Sequence, residues 1–156
     1  MSVYFFYYIY KKKIMINIFK NCDTNTSQGN LGLGRAIYEI QKMGAIISLP
    51  ITENQKYDLV ADLKNKLNKI QIKTTGYKKK SCKYAVNLKT SGGNQSFNKA
   101  TLRKEGDYDY LFVLCSDDEC FFIPETSFSA KNELTLSDKF DKYKLNGNAP
   151  KLESWA

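Results

Sequence analysis

Three polar residues, Asp58, Gln71 and Lys73, have the types and spacing that support metal-dependent chemistry. Asp58 lies early in a segment that we predict to be a strand, and Gln71 and Lys73 alternate with isoleucines on the next predicted strand. Residues two apart in a strand share a face, so Gln71 and Lys73 are expected side by side, and a hairpin can bring Asp58 to them. A carboxylate, an amide oxygen and the main-chain carbonyl of Ile72 would form an oxygen-rich site suited to Mg²⁺.

A lysine beside such an ion can orient or deprotonate water, or offset negative charge that builds on a phosphate during hydrolysis. The same three residues also fit an ordinary hairpin with a buried aspartate and with glutamine and lysine on its surface. Spacing alone therefore leaves both interpretations open.

The 156 residues include no histidine, and this absence restricts the chemistry more than any other feature of the composition. It excludes Ser-His-Asp and Cys-His catalysis and every zinc site that requires histidine. A general base must be a carboxylate, lysine, tyrosine, cysteine or water on a metal. The four cysteines form no CxxC pair, so we expect free thiols in a reducing, intracellular compartment.

Positive charge is concentrated in one part of the chain, whose formal net charge is +8. Residues 63–104 contain 12 of the 24 Lys and Arg residues and no Asp or Glu, whereas residues 105–156 contain 11 of the 16 acidic residues. Such a basic segment is typical of a nucleic-acid-binding surface, although a lysine-rich solvated face would give the same pattern.

The hydrophobic periodicity predicts one helix followed by short strands in a single domain. The helix is expected from Leu31 to Met43, after a polar loop at 21–30 and before Gly44. The predicted strands are residues 45–49, 57–61, 69–74, 84–88, 108–115 and 120–123, with a long loop over 90–106. The apolar run from Val3 to Tyr10 is too short to span a bilayer, so no membrane association is expected.

Several ordered blocks resemble the PD-(D/E)XK nuclease superfamily, and more narrowly the homing endonucleases encoded in group I introns. That branch carries Q-x-K at its second acidic position, here Gln71-Ile72-Lys73, and a P…YDL motif, here running from Pro50 to Leu59. The resemblance continues through residues 88–96 and 108–124. It divides the chain into an extension at 1–28 (an edge strand or partly disordered), a nuclease-like domain at 29–128 and a tail at 129–156.

The resemblance implies a restriction-endonuclease-like αβββαβ core with a central mixed sheet and Mg²⁺-dependent hydrolysis of double-stranded DNA, Mn²⁺ being a possible substitute. It implies that Asp58, Gln71 and Ile72 hold the metal and that Asp58, Gln71 and Lys73 are catalytic. Because cutting two strands needs two active sites, it also implies a homo-oligomer, either a dimer or a tetramer.

The basic segment then acquires a role in binding DNA. Four lysines just past the Gln71 strand are expected to contact phosphates: Lys78, Lys79, Lys80 and Lys83. Asn94, Gln95 and Ser96 lie in the long loop and are candidates for base contacts in the major groove, or for a plain polar connector.

One position departs from the family pattern. Family members commonly carry a glutamate on the first helix in a G-x-x-G-E context, and the matching residue here is Leu33. Glu39, six residues further on, is expected on a different face. Two hypotheses follow: an active endonuclease, or a degenerate domain that binds DNA without cleaving it. A third, an RNA-binding protein, lacks the usual aromatic stacking motifs.

Overall fold

The computed structural model describes residues 16–52, 55–90 and 101–145. Its α-helix, α1, spans Asn25–Lys42 and ends before Gly44, which has a φ of +82°. The predicted start at Leu31 was wrong, because a capping box begins the helix two turns earlier. The Thr24 side chain accepts from the Ser27 amide at 3.0 Å, and the Ser27 hydroxyl accepts from the Thr24 amide at 3.1 Å. These bonds satisfy amides that a helix start otherwise leaves unpaired.

Five strands form the central sheet in the spatial order β1-β2-β3-β5-β6. β3 and β5 are parallel and the other neighbours are antiparallel. The strands are β1 (Ile46–Ser48), β2 (Leu59–Leu63), β3 (Lys66–Thr75), β5 (Tyr110–Cys115) and β6 (Cys120–Pro124). This mixed sheet with its helix confirms the restriction-endonuclease-like fold class.

The β2–β3 hairpin is tighter than predicted. Its turn consists of Lys64 and Asn65, which both have positive φ values, of 53° and 61°. Two such residues match the twist of the flanking strands, so β3 starts at Lys66 rather than Lys69. The resulting register pairs Leu59 with Ile70, and Asp58 directly precedes this pair.

Two hydrophobic clusters lie on opposite faces of the central sheet. The first packs α1 onto the sheet and includes Ala36, Ile40 and Phe112. The second lies beneath a separate two-stranded sheet of β4 (Ala85–Asn87) and β7 (Glu133–Thr135). β4 therefore does not join the central sheet.

The chain beyond residue 128 contributes to the second cluster. Leu134 of β7, Leu136 and Phe140 are all buried there. Short 3₁₀ segments at Glu125–Ser127 and Asp138–Tyr143 connect these elements.

Between β3 and β5, the described residues contain β4 and no second α-helix. Thr90 and Thr101 form a β-bridge. The predicted base-reading residues Asn94, Gln95 and Ser96 lie outside the described residues, as do the first 15 residues and those after 145. Within residues 16–52, 55–90 and 101–145, no helix is both long enough and apolar enough to cross a membrane.

Gly32 marks the closest approach of α1 to β3. A Cβ atom at this position would lie 2.5 Å from the Thr74 methyl group, whereas a Cβ at Gly34 would meet nothing within 4 Å. We expect Gly32→Ala to lower the free energy of unfolding by about 1–3 kcal/mol relative to Gly34→Ala, because only the first substitution overpacks the interface. Urea denaturation of both variants measures this difference. Equal free energies of unfolding would show that α1 can shift to make room for the methyl group without loss of stability.

Candidate active site

The hairpin places Asp58 in contact with Gln71 and close to Lys73. Asp58 directly precedes β2, and its main-chain amide donates to the Ile70 carbonyl at 2.8 Å. Because Leu59 already pairs with Ile70, this bond departs from the β2–β3 register, and the Asp58 carboxylate reaches Gln71 and the Ile72 amide through its own hydrogen bonds. The structure therefore brings together the three residues that the sequence singled out.

A small hydrogen-bond network joins this group. The Asp58 Oδ2 atom accepts from the Ile72 amide at 2.6 Å and from Gln71 Nε2 at 2.5 Å. Gln71 Nε2 also donates to the Ile72 carbonyl at 3.2 Å. The carboxylate and the carbonyl oxygen thus converge on one point, which the amide N–H group of a buried glutamine occupies.

This arrangement fits a hard divalent cation. A cation at the convergence point would contact both oxygens, and a half-turn of the Gln71 amide would replace its nitrogen with its oxygen. An all-oxygen donor set of this kind suits Mg²⁺. The described residues contain no cluster of three or more His, Cys, Asp or Glu side chains that could hold a metal. Any metal site here must therefore use Gln71 and main-chain oxygen beside Asp58.

Burial disfavours the charged forms of both Asp58 and Lys73, so it shifts their pKa values in opposite directions. Desolvation raises the pKa of Asp58 above its ordinary value, although the Ile72 amide and the charge of Lys73 oppose the shift. Desolvation lowers the pKa of Lys73, and the charge of Asp58 opposes that shift. Asp58 keeps exposed surface, but its carboxylate lies against protein atoms that partly replace water. Each group therefore stabilises the charged form of the other.

A pocket of about 520 Å³, a size usual for a ligand site, is lined by Asp58, Ile72 and Lys73 but not by the buried Gln71. A larger pocket of about 640 Å³ lies near Lys66 and Asp109, and it contains none of the three predicted catalytic residues. We assign the chemistry to the smaller pocket for that reason. Its lining residues come from α1 (Asn25, Gln28, Gly29, Asn30, Leu33), from Asp58 and β3 (Ile72, Lys73, Thr74) and from the β4 region (Asn87, Lys89).

Leu33 lies in the wall of this pocket, at the position where the family pattern has a glutamate. Its side chain is partly buried against the first hydrophobic cluster and carries no ligand atom. Glu39 does not line the pocket, and its carboxylate pairs with Arg35 at 2.9 Å and Lys42 at 3.2 Å. Within the described residues, Asp58 is the only carboxylate among the residues lining the pocket.

Several polar residues of the pocket were not singled out from the sequence, among them Gln28, Asn87 and Lys89. Gln28 Nε2 donates to the Thr74 hydroxyl at 2.9 Å, and it was missed because its segment was predicted to be a loop. Asn87 and Lys89 alternate with the buried Val86 and Leu88. That alternation was visible in the sequence and would have placed both on the open face of the strand.

Three of the four predicted DNA-binding lysines pair with carboxylates from the acidic part of the chain. Lys78 lies 3.5 Å from Asp117, Lys79 lies 2.5 Å from Glu133, and Lys83 pairs with Asp138. Lys80 is exposed and makes no ion pair within the described residues. Folding therefore brings together the basic and acidic segments that are separate in the sequence.

One solved structure with a similar fold is that of a bacterial homing endonuclease, I-Ssp6803I. It aligns with a TM-score of 0.64 and 22% sequence identity, over 85% of this chain and 90% of that one. At this identity the likeness concerns the fold. Among curated proteins, none matches the chain.

The family model described as PD-(D/E)XK endonuclease matches residues 24–150. The match begins at the capping residue of α1 and includes the hairpin and every residue that lines the smaller pocket. It confirms the superfamily resemblance drawn from the Q-x-K and YDL motifs. Because the match covers most of its length, the chain belongs to the PD-(D/E)XK endonuclease family.

Proposed function

We propose that the protein is a Mg²⁺-dependent endonuclease that hydrolyses phosphodiester bonds of double-stranded DNA, with Mn²⁺ as a substitute ion. The observation that carries the proposal is the convergence of the Asp58 carboxylate and the Ile72 carbonyl on the Gln71 amide. Membership of an endonuclease family supports it. The fold likeness to a homing endonuclease supports an association with a group I intron or another mobile element.

In this proposal each residue of the group has a distinct task. Asp58 and the Ile72 carbonyl would hold the ion, and the amide oxygen of Gln71 would be the third protein ligand. A bound divalent ion would supply Lewis-acid assistance and a water nucleophile at neutral pH. Lys73, whose Nζ atom donates to the Lys89 carbonyl at 3.2 Å, orients water or offsets charge on the scissile phosphate. No step needs an imidazole, in keeping with a chain that has no histidine.

DNA binding outside the pocket is proposed for Lys78, Lys79, Lys80 and Lys83. Exposed ion pairs are weak, so DNA phosphates can compete with the carboxylates that pair with three of these lysines. A homo-oligomer is proposed as well, since one chain has one such pocket among its described residues and a duplex has two strands to cut.

Plasmid nicking tests the proposal. Supercoiled DNA is incubated with the protein in Mg²⁺ or Mn²⁺, with and without EDTA, and beside the Lys73→Ala variant. We expect cleavage that EDTA abolishes and that Lys73→Ala strongly reduces. The assignment would be refuted if the protein cut DNA equally well with and without EDTA. It would also be refuted if the Lys73→Ala variant cut as fast as the wild type. Cleavage of DNA from the exons that flank the gene tests the association with an intron.

A second candidate function is DNA binding without cleavage. The observation that favours it is Leu33, which leaves the helix side of the pocket without a carboxylate. Duplex binding without nicking in either metal ion would support this candidate over the first.

Leu33→Glu tests whether the missing carboxylate limits metal binding. We expect the substitution to lower the Mg²⁺ concentration for half-maximal cleavage by about tenfold, the scale on which one change around a metal alters its affinity. Mn²⁺ binding followed by electron paramagnetic resonance gives the same comparison without relying on activity. Leu33→Gln is the matched control, because it has a similar size and no charge. If both variants bind Mn²⁺ as the wild type does, Leu33 does not face the ion.

A further inference from the structure

Lys89 is a cation of the pocket that the sequence motifs did not assign. It lines the pocket together with Asp58 and Lys73, and it is partly buried. We infer that its ammonium group binds a backbone phosphate of the DNA strand that enters the pocket. The inference rests on the proposed function, because it requires DNA at this site.

The main chain around Lys89 is held in place by two hydrogen bonds. The Lys89 amide donates to the Asn87 side-chain oxygen at 2.9 Å. The neighbouring Leu88 amide donates to the Asn132 carbonyl at 2.9 Å, which ties this segment to the chain just before β7. The side chain of Lys89 therefore starts from a fixed position at the edge of the pocket.

Lys89 contributes to the site in two separate ways. Its main-chain carbonyl accepts from Lys73 Nζ at 3.2 Å and so positions the catalytic lysine. Its own ammonium group makes no ion pair with any other residue that the structure describes, in contrast to Lys78, Lys79 and Lys83. Substituting the Lys89 side chain removes this charge but keeps the carbonyl that holds Lys73.

The charge balance of the pocket favours an anion. Two ammonium groups, from Lys73 and Lys89, accompany one carboxylate, from Asp58. Lys73 lies close enough to Asp58 for each charge to shift the pKa of the other. The charge of Lys89 is therefore available for a further phosphate of the strand, which lysine binds as a point charge.

The test measures how salt affects DNA binding. Affinity for a mixed-sequence duplex is titrated over a range of salt concentrations, with Ca²⁺ in place of Mg²⁺ and with the duplex checked for cleavage on a gel. Three variants accompany the wild type: Lys89→Met, Lys89→Arg and Lys64→Met. Lys64 is the control, because it lies on the β2–β3 turn at the end of the hairpin away from Asp58.

We expect Lys89→Met to reduce the slope of log affinity against log salt by about 0.9, the value for one lost phosphate contact. Lys89→Arg should keep the wild-type slope, because it keeps the charge, and Lys64→Met should keep it as well. An unchanged slope in Lys89→Met, or an equal loss in Lys64→Met, would overturn the inference. If the wild type binds no duplex, both the proposed function and the inference about Lys89 fail. If the wild type binds and cuts DNA while Lys89→Met keeps its slope, only the inference about Lys89 fails.

Discussion

Asp58→Asn is expected to reduce the rate of DNA cleavage by about 10²–10³-fold, the loss typical of one group that stabilises the transition state. The substitution keeps the size of the side chain and an oxygen that can accept from the Ile72 amide. It removes the only carboxylate that the structure places in the pocket wall. The folded structure should therefore persist while the affinity for a divalent ion falls.

Two measurements separate this effect from general damage. The rate of plasmid nicking should fall, whereas duplex binding should stay the same or become tighter, because a negative charge has been removed. Asp141→Asn makes the same chemical change in an ion pair with Lys144, away from the pocket, and should cut at the wild-type rate. If Asp58→Asn cuts DNA at the wild-type rate, Asp58 is not part of the active site.

Glu125→Gln is expected to lower the free energy of unfolding by about 3–5 kcal/mol, because it leaves a buried guanidinium without a counter-charge. Glu125 pairs with Arg103, and the side chains of the two residues are only 8% and 4% exposed. The Arg103 guanidinium also donates to the Ala130 carbonyl at 3.0 Å and lies 4.6 Å from the centre of the Phe128 ring. The pair therefore joins the segment before β5 to the chain that follows β6.

A double variant shows whether the lost pairing causes the effect. Arg103→Met with Glu125→Leu removes both charges and should regain much of the stability, because apolar side chains can replace a buried ion pair. Lys79→Met breaks the exposed pair with Glu133 and should cost less than about 1 kcal/mol. Urea denaturation measures all three. If Glu125→Gln lowers the free energy of unfolding no more than Lys79→Met does, water reaches the Arg103–Glu125 pair.

The features predicted best from the sequence depend on contacts between near neighbours. The β2–β3 hairpin follows from two alternating segments and a short turn, and so does the meeting of Asp58 with Gln71. The end of α1 before Gly44 was also predicted, because a glycine with positive φ ends a helix without help from distant residues.

The errors arose where a local signal was weak or where a distant partner decided the outcome. The start of α1 was misplaced because Ser27, rather than the more usual Glu or Gln, completes the capping box. β4 was predicted correctly as a strand, but its partner β7 lies some fifty residues away in a segment with weak periodicity. The tail after residue 128 carried few apolar residues, and their common burial is seen only in the folded chain.

The sequence by itself determined the chemical groups available to the site: one aspartate, the Q-x-K oxygens, a lysine and no imidazole. It also determined the order of the helix and strands, because hydrophobic periodicity is a property of short segments. Only the tertiary structure placed Leu33 and Lys89 in the same pocket as Asp58, since these residues reach it from three separate segments. It also decided which lysines have no ion pair among the residues that the structure describes. The acidic residues that neutralise Lys78, Lys79 and Lys83 follow them by more than thirty positions and meet them only through folding.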